Sequence, residues 1–357
     1  IESGAPIHED VGIREYLDMH HSSAGFFTRL KEIANNIKKL SPDLVMSHYH
    51  DIEAYLIQRL GIEDYEYSCT IHGTPLWFAN SPHVIPHLRN PEVQRIMQSV
   101  PGHREFHGDH DIPVLRQVRA EGGEYLRKLA LKNSLVNFAS SKQVQKELIA
   151  LYDANSVVAR AGVSEDWIDQ NSGGKDSPFP KDDKVILSVS RLDERKRVEL
   201  LIHCLELLQE DMSVKLAIVG DGPQFEELNQ LAGRLDLKTH IDFKGFVPDD
   251  ELPSYYNNAD VFACPGWMSY GLTPLEAYSM NTPVVVSSDT FSHELLRGKP
   301  SVWIAEPTVE DFYEKILSSF QIDDPKFEAI PTWKEYFEHK FQVIRMNFDS
   351  LTAHNEE

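Results

Sequence analysis

The second half of the chain alternates short apolar runs with amphipathic stretches, and this alternation restricts the fold more than any other feature of the sequence. Six runs have the length of a strand, at 184–190, 214–220, 240–245, 260–265, 283–288 and 301–306. Between them, the stretches 197–209, 224–235 and 250–259 place apolar residues at helical spacing. Such alternation predicts a parallel sheet with helices on both faces, which is an α/β fold.

The first half repeats the alternation more loosely. It predicts a helix at about 24–40, a strand at 43–48, a helix at 51–60 and strands at 66–72 and 134–140. A length of 357 residues favours two domains. We therefore expect two doubly wound domains, an N-terminal one at 1–168 and a C-terminal one starting at 184, joined by a Gly/Pro/Ser-rich linker at 169–183.

The charge of the chain limits its partners. There are 35 Lys and Arg against 56 Asp and Glu, a formal net charge of −21. Such a field repels polyanions, so nucleic acid is not expected as a partner.

Three scattered cysteines predict a reducing, cytoplasmic compartment. No apolar run approaches the roughly 20 residues of a membrane span. The chain begins with Ile1, and its first 30 residues lack the pattern of a signal peptide, so we expect a chain cut at its front.

A cluster of charge follows the strand that ends near Ser190. Residues 191–197 read RLDERKR, four cations and two anions at the predicted start of a helix. A helix N-terminus favours Asp or Glu by roughly 0.3–1 kcal/mol, so cations here fit a bound anion such as a diphosphate. The alternative is a solvated turn in which Asp193 and Glu194 offset the cations, and the spacing leaves both readings open.

A second helix start lies at Gly271-Leu272-Thr273-Pro274-Leu275-Glu276. Thr273 and Glu276 have the spacing of a capping box, with Pro274 at the first helical position, and spacing alone favours this structural role. In the functional alternative, Gly271 lets a phosphate approach the helix and Glu276 accepts hydrogen bonds from ligand hydroxyls.

Five motifs between residues 190 and 277 resemble, in order, the C-terminal domain of the retaining group 1 glycosyltransferases, family four, with the GT-B fold. They are Ser190-Arg191-Leu192 with Lys196, Val219-Gly220-Asp221-Gly222-Pro223, Phe243-x-Gly245-x-Val247, Ala259-Asp260-Val261-Phe262 and Gly271-Leu272-x-Pro274-Leu275-Glu276-Ala277. The first half resembles the family more weakly, at Ser41-Pro42-Asp43, His72-Gly73, Ser140-Ser141 and Gly162-Val163. Trp333 resembles the aromatic residue after which, in this family, a helix, here 333–357, crosses back from the domain 184–332 to the first domain.

The resemblance implies two Rossmann-like domains facing a cleft, and transfer of a sugar (hexosyl type) from a nucleoside diphosphate-sugar to a sugar, glycan or lipid-linked acceptor. It implies that Arg191 and Lys196 hold the diphosphate and that Glu276 holds the ribose hydroxyls. It further implies that the amides of Gly271, Leu272 and Thr273 meet the phosphates, that the base lies near Phe246 and Val247, and that His72 approaches the donor sugar. Neither metal nor cofactor is expected, because fixed cations can do the work of Mg²⁺.

Two departures from the family leave alternatives open. Met268 stands where the family has the first glutamate of its E-x7-E pattern, and methionine cannot ionise. The family's first strand and Gly-rich loop are not recognisable before residue 40. These departures leave open a catalytically impaired nucleotide-sugar-binding subunit. A non-hydrolysing sugar-nucleotide epimerase, which shares the two-domain fold, is the other alternative, although the group 1 motifs speak against it.

Histidines and basic residues of the first half raise further possibilities. His48 and His50 follow a strand and either contact an acceptor or belong to the capping of the next helix through Asp51. His103, His107 and His110 lie close in sequence, but Pro101 and Gly102 break the helix that would align them, so no metal site is predicted. The basic residues of 83–147 read as a solvated face because acids are interspersed, with peripheral membrane contact as the alternative.

Overall fold

The computed structural model describes residues 26–48, 51–72, 91–99, 114–170, 177–180, 183–210, 212–268, 270–290 and 293–355. The chain divides into two compact units, the first ending at Arg160 and resuming at Lys334, the second spanning Ala161–Trp333. The division thus falls ahead of the predicted linker at 169–183. The physical reason is that Val163 is already tied to the second unit: its N–H donates to the Pro331 carbonyl at 3.0 Å, and its carbonyl accepts from Trp333 N–H at 3.1 Å.

The first unit contains a four-stranded parallel sheet in the order β1-β2-β3-β4. Its strands are β1 Leu44–His48, β2 Glu66–Ile71, β3 Val136–Ala139 and β4 Val157–Val158. Its helices are α1 Phe26–Leu40, α2 Asp51–Arg59, α3 Pro91–Ser99, α4 Val114–Asn133 and α5 Lys142–Tyr152. The predicted elements at 24–40, 43–48, 51–60, 66–72 and 134–140 are confirmed. Along β2, Tyr67 and Cys69 enter an apolar cluster with these helices, while Ser68 and Thr70 are buried on the opposite face.

The second unit contains a six-stranded sheet whose pairings are all parallel. Its strands are β5 Lys184–Val189, β6 Val214–Val219, β7 Ile241–Gly245, β8 Val261–Cys264, β9 Val284–Ser287 and β10 Val302–Ala305, which confirms the six predicted runs. The order is β10-β9-β8-β5-β6-β7, the order of a Rossmann fold, and it reverses between β5 and β8. Ligands of such sheets bind beyond the carboxyl ends of the strands at this reversal.

Helices cover both faces of this sheet. They are α6 Glu165–Gln170, α7 Val198–Leu208, α8 Phe225–Arg234, α9 Leu252–Asn258, α10 Thr273–Ser279, α11 His293–Leu296 and α12 Val309–Phe320. Alternate strand residues belong to two separate apolar clusters, as Ile186 and Leu187 of β5 illustrate. A sheet buried on both faces explains why its strands read as continuous apolar runs.

The chain ends with the long helix α13 Trp333–Asn355, which belongs to the first unit from Lys334 onward. Its residues Tyr336, Lys340 and Ile344 recur every four positions and are all buried, so they form the inward stripe of the helix. Among the helices that the structure describes, none is both long and apolar enough to cross a lipid bilayer. Cys69, Cys204 and Cys264 are buried free thiols.

Candidate functional site

The loops that follow β5 and β8 pack against each other at the reversal of the second sheet. Trp267 N–H donates to the Arg195 carbonyl at 2.9 Å. A Cβ on Gly266 would lie 2.8 Å from the Lys196 Cα, so only glycine permits this approach. The backbone of Lys196 is therefore held by the loop that leads into α10.

Arg197 ties in a third loop, the one after β9. Its guanidinium donates to Asp289 Oδ2 at 2.8 Å and to the Pro265 carbonyl at 3.3 Å. Asp289 is fully buried, and its Oδ1 accepts from the Ser287 hydroxyl at 2.6 Å. Arg197 is also in the left-handed backbone conformation, with φ 49°. The charge of Arg197 is therefore used to join the three loops.

Arg195 is paired as well. Its side chain donates to both carboxylate oxygens of Asp193, at 3.1 and 2.7 Å, and Asp193 also accepts from the Arg195 backbone N–H at 3.1 Å. Asp193 thereby caps a short 3₁₀ turn at Glu194–Lys196, and α7 begins only at Val198. The solvated-turn interpretation therefore holds for Arg195.

Arg191 and Lys196 differ from the other two cations of this segment. Within the described ranges, neither side chain has a hydrogen-bond or ion-pair partner. Arg191 is exposed, whereas Lys196 is half-buried beside Cys264, and burial lowers the pKa of its ammonium. The two cations that the family resemblance assigns to a diphosphate are thus the two of this segment whose side chains are unpaired in the part of the chain that the structure describes.

Two glycines place Arg191. Gly220 has φ +124°, and a Cβ there would lie 1.9 Å from the Ser190 carbonyl oxygen. A Cβ on Gly222 would lie 2.3 Å from the Leu192 carbonyl oxygen, and Leu192 N–H donates to the Asp221 carbonyl at 2.9 Å. The Gly-Asp-Gly motif therefore lets the loop after β6 lie directly against the residues that flank Arg191.

The predicted capping box at the start of α10 is wrong. Thr273 is the first helical residue, Leu272 occupies the N-cap without a side-chain cap bond, and Pro274 is the second residue of the helix rather than the first. Because Thr273 already has helical backbone angles, its hydroxyl does not cap; it is buried and has no partner in the described part of the chain.

The Glu276 side chain contacts α9. Its Oε2 accepts from the hydroxyl of the fully buried Tyr256, on α9, at 3.0 Å. Burial raises the pKa of the Glu276 carboxyl to about 7. A half-buried carboxyl with this pKa can accept hydrogen bonds from ligand hydroxyls at neutral pH, the role that the resemblance implies.

The remaining donor-side residues lie at the ends of β7 and β8. Phe246 follows Gly245, which has φ +66°, and the residue is 79% exposed, whereas Val247 is buried. Gly271 is buried and Leu272 half-buried. No hydrogen bond or ion pair between described residues joins Arg191, Lys196 and Glu276, so their convergence on one ligand stays a prediction.

Met268 occupies a strand-like bridge with Thr290, whose hydroxyl donates to the Gly266 carbonyl. Its half-buried side chain packs against the apolar cluster on the α10 face of the sheet. The position of the family's first glutamate is therefore filled by an apolar contact.

In the first unit, His48 and His72 form a pair at the ends of β1 and β2. His48 Nδ1 lies 2.7 Å from His72 Nε2, and the rings stack with centroids 4.9 Å apart. The Ser140 hydroxyl donates to the His72 carbonyl at 2.9 Å. Asp51, at the start of α2, is buried and forms an ion pair with Arg127 at 3.2 Å. His50 lies outside the described residues.

Lys340, which lies next to the His48–His72 pair, was not predicted from the sequence as a site residue. Lys340 of α13 is fully buried, and its Nζ lies 3.4 Å from His48 Nε2. The signal was present, because Lys340 interrupts the apolar stripe of α13 between Tyr336 and Ile344.

No group of three or more potential metal ligands occurs among the residues that the structure describes. His103, His107 and His110 lie outside them.

Comparison with known proteins assigns the second unit. Residues 170–328 match the family described as "Glycosyl transferases group 1". An uncharacterized glycosyltransferase of Methanocaldococcus jannaschii is 35% identical over 125 residues, which is 34% of this chain and 32% of that protein. A GDP-mannose-dependent alpha-(1-6)-phosphatidylinositol monomannoside mannosyltransferase of Mycolicibacterium smegmatis is 29% identical over 243 residues. That match covers 63% of this chain and 61% of the relative, so the chain spans less than two thirds of either relative.

The solved structure of a glycosyltransferase from Rickettsia africae has the same fold. It superposes with a TM-score of 0.61 at 19% identity, over 95% of this chain and 84% of that one. The two parallel-sheet units accordingly have the GT-B fold, and residues 170–328 form a domain of the glycosyl transferases group 1 family.

Proposed function

We propose that this protein is a retaining hexosyltransferase that moves a sugar from a nucleoside diphosphate-sugar to an acceptor hydroxyl without metal or cofactor. The observation that carries the proposal is the pair of cations Arg191 and Lys196 beyond β5, which have no side-chain partner among the described residues, in a chain of net charge −21. A bound diphosphate would supply Lys196, which is already half removed from water, with a directly paired counter-charge.

The chemistry needs positive charge at this place. Cleavage of the bond between sugar and diphosphate leaves negative charge on the departing nucleoside diphosphate. Cations and amides that are already in place stabilise that charge more in the transition state than in the ground state. Arg191 and Lys196, on a backbone that the neighbouring loops hold in place, can do this without Mg²⁺, which is the basis of the proposed metal independence.

Other residues give the donor its orientation in this proposal. Glu276 accepts the ribose hydroxyls, and the exposed ring of Phe246 offers the base a flat apolar surface beside Val247. The amides of Gly271, Leu272 and Thr273 meet the phosphates. His72 approaches the donor sugar, and His48 and His50 lie nearer the acceptor.

The mycobacterial relative is named for GDP-mannose and a phosphatidylinositol monomannoside. A sugar, glycan or lipid-linked acceptor fits the proposal, as do a cytoplasmic location and peripheral membrane contact through the first unit.

The decisive experiment is donor turnover by Arg191→Ala and Lys196→Ala, assayed with GDP-mannose, UDP-glucose and ADP-glucose. Loss of one preorganised donor to the developing charge typically costs about 10²–10³ in rate. Arg195→Ala is the matched control, because it removes a cation from the same turn that is already paired with Asp193. We expect the control to stay within about threefold of the parent, since exposed pairs contribute little. Parental rates in both test variants would refute the diphosphate assignment.

The apolar contact of Met268 favours one second candidate, a nucleotide-sugar-binding subunit without catalysis. Calorimetric titration with the donors separates the two. Tight donor binding with neither transfer nor slow donor hydrolysis would establish the binding subunit, and isomerisation of the donor without acceptor would instead identify an epimerase.

A further inference from the structure

Lys340 is a buried cation surrounded by hydrogen-bond acceptors. Its Nζ lies 2.7 Å from Thr70 Oγ1, 3.4 Å from His48 Nε2 and 3.5 Å from Tyr336 Oη. An ammonium has three N–H donors and no acceptor, so these three partners match its hydrogens one for one. The rings of Phe138 and Tyr336 lie 4.9 and 5.2 Å from Nζ and add cation–π contacts.

No carboxylate takes part in this arrangement among the described neighbours of Lys340. A buried ammonium without a counter-ion is costly, and an apolar side chain of similar length would fill the same space without that cost. The contact with His48 joins Lys340 to the histidine pair of the proposed site.

The direction of each hydrogen bond follows from Lys340. Below its pKa of about 7 Lys340 is an ammonium that only donates, so His48 Nε2 must accept there, and the proton of His48 lies on Nδ1. That Nδ1–H then donates to His72 Nε2 across 2.7 Å, so His72 carries its own proton on Nδ1. Burial, and next the charge of Lys340, lowers the pKa of His48 to about 2, so His48 stays neutral and keeps this direction.

We propose that Lys340 is a positioning residue that fixes, through His48, the tautomer and ring orientation of His72. The proposal rests on the function proposed above insofar as His72 is taken to meet the donor sugar. It has a chemical consequence for the reaction. With its Nε2 occupied by His48, His72 orients the substrate through hydrogen bonding and does not take up a proton at Nε2 as a general base.

The test is a long-range ¹H–¹⁵N correlation spectrum of the histidine rings in the whole protein at pH 6 without ligand. His48→Gln and His72→Gln assign the two signals. We expect both rings of the parent to be protonated on Nδ1. Protonation of His48 on Nε2 in the parent would overturn the proposal before any variant of Lys340 is made.

Lys340→Met then tests the cause. The variant keeps the length of the side chain and removes its donors, so we expect His48 and His72 to become mixtures of tautomers and His48 to titrate at a higher pH. Lys334→Met, at an exposed position of the same helix, should leave both rings as in the parent. Unchanged tautomers in Lys340→Met would contradict the proposal. If Lys340→Met does not fold, Thr70→Val provides the second variant: loss of that partner should shift the His48 signal.

Turnover gives the functional readout. Misplacement of a group at the reacting centre costs up to about 100-fold, and we expect this loss in kcat of Lys340→Met with little change in donor KM. A change of tautomer without any change in kcat would show that His72 is not positioned for catalysis. Absence of turnover in the parent would refute the proposed function alone, because the ring spectrum needs no substrate.

Discussion

The four cationic side chains of residues 191–197 have two different roles. Arg195 and Arg197 neutralise Asp193 and Asp289, whereas Arg191 and Lys196 keep their charge unpaired within the described structure. Sequence spacing could not separate them, because Asp289 lies 92 positions from Arg197. Which of these cations is paired depends on carboxylates that only the fold places beside them, as Asp289 beside Arg197 shows.

Glu276 gives a prediction at the residue scale. Its pKa is about 7 in the folded protein against 4.5 ordinarily, so between these values the folded state holds more protons than the unfolded state. The free energy of unfolding therefore falls as pH rises from 4.5 to 7, and the full penalty remains above pH 7. Glu276→Gln should be more stable than the parent at pH 8, by about 1–3 kcal/mol, with the difference absent near pH 4. Denaturant unfolding at the two pH values checks this; a difference independent of pH would contradict it.

Lys340 gives the opposite pH dependence. Burial lowers its pKa to about 7 from 10.5, so between these values the unfolded state holds more protons. The destabilising effect of the buried charge is complete below pH 7 and disappears as pH rises towards 10.5. Unfolding curves should show Lys340→Met gaining most over the parent at pH 6 and least at pH 10. Lys334→Met, exposed on the same helix, should differ from the parent by no more than about 0.5 kcal/mol at either pH. A gain of Lys340→Met that grows with pH would refute this account.

Among the elements, the loops after β5, β8 and β9 act as one unit. Arg197, Asp289 and Pro265 connect them, and Gly266 lets two of them touch. The backbone of the site is therefore held in place, although the side chains of Arg191 and Lys196 have no partner among the residues described. This arrangement suits a pocket that must hold charge ready before the ligand arrives.

Substitution of Gly266 by alanine tests this packing. The new Cβ would meet the Lys196 backbone at 2.8 Å, so the two loops must separate. We expect donor affinity to fall by about tenfold or more, as a shift of the binding groups would produce. Gly233→Ala is the matched control, since its Cβ would meet only the end of the Lys238 side chain, and alanine favours the helix by up to about 1 kcal/mol. Equal donor affinity in both variants would contradict the role of Gly266.

At the scale of the whole molecule, local patterns were predicted well and long-range contacts were not. The six strands of the second unit followed from apolar runs, because a sheet covered on both faces buries most residues of its central strands. The division after Arg160 depends on Val163 meeting residues 331–333, far along the chain. The capping box failed since α10 begins with Thr273 itself. The interruption of the α13 stripe could have drawn attention to Lys340, but its partner His48 lies 292 positions away and is shown by the fold alone.

The division into two units makes a last prediction, about where a ligand acts. If the second unit holds the nucleoside diphosphate, GDP or UDP at 100 times its dissociation constant should stabilise that unit by about 2.7 kcal/mol. Hydrogen exchange should then slow at amides of 190–197, 245–247 and 265–273, all of which belong to this unit. The core strands β2 and β3 of the first unit serve as the internal control, and we expect their exchange to be unchanged by the nucleotide. In Lys196→Ala the protection should vanish at the same nucleotide concentration, because the ammonium that meets the diphosphate is gone. Protection confined to β2 and β3 would place the nucleotide in the first unit and contradict the assignment of Arg191 and Lys196.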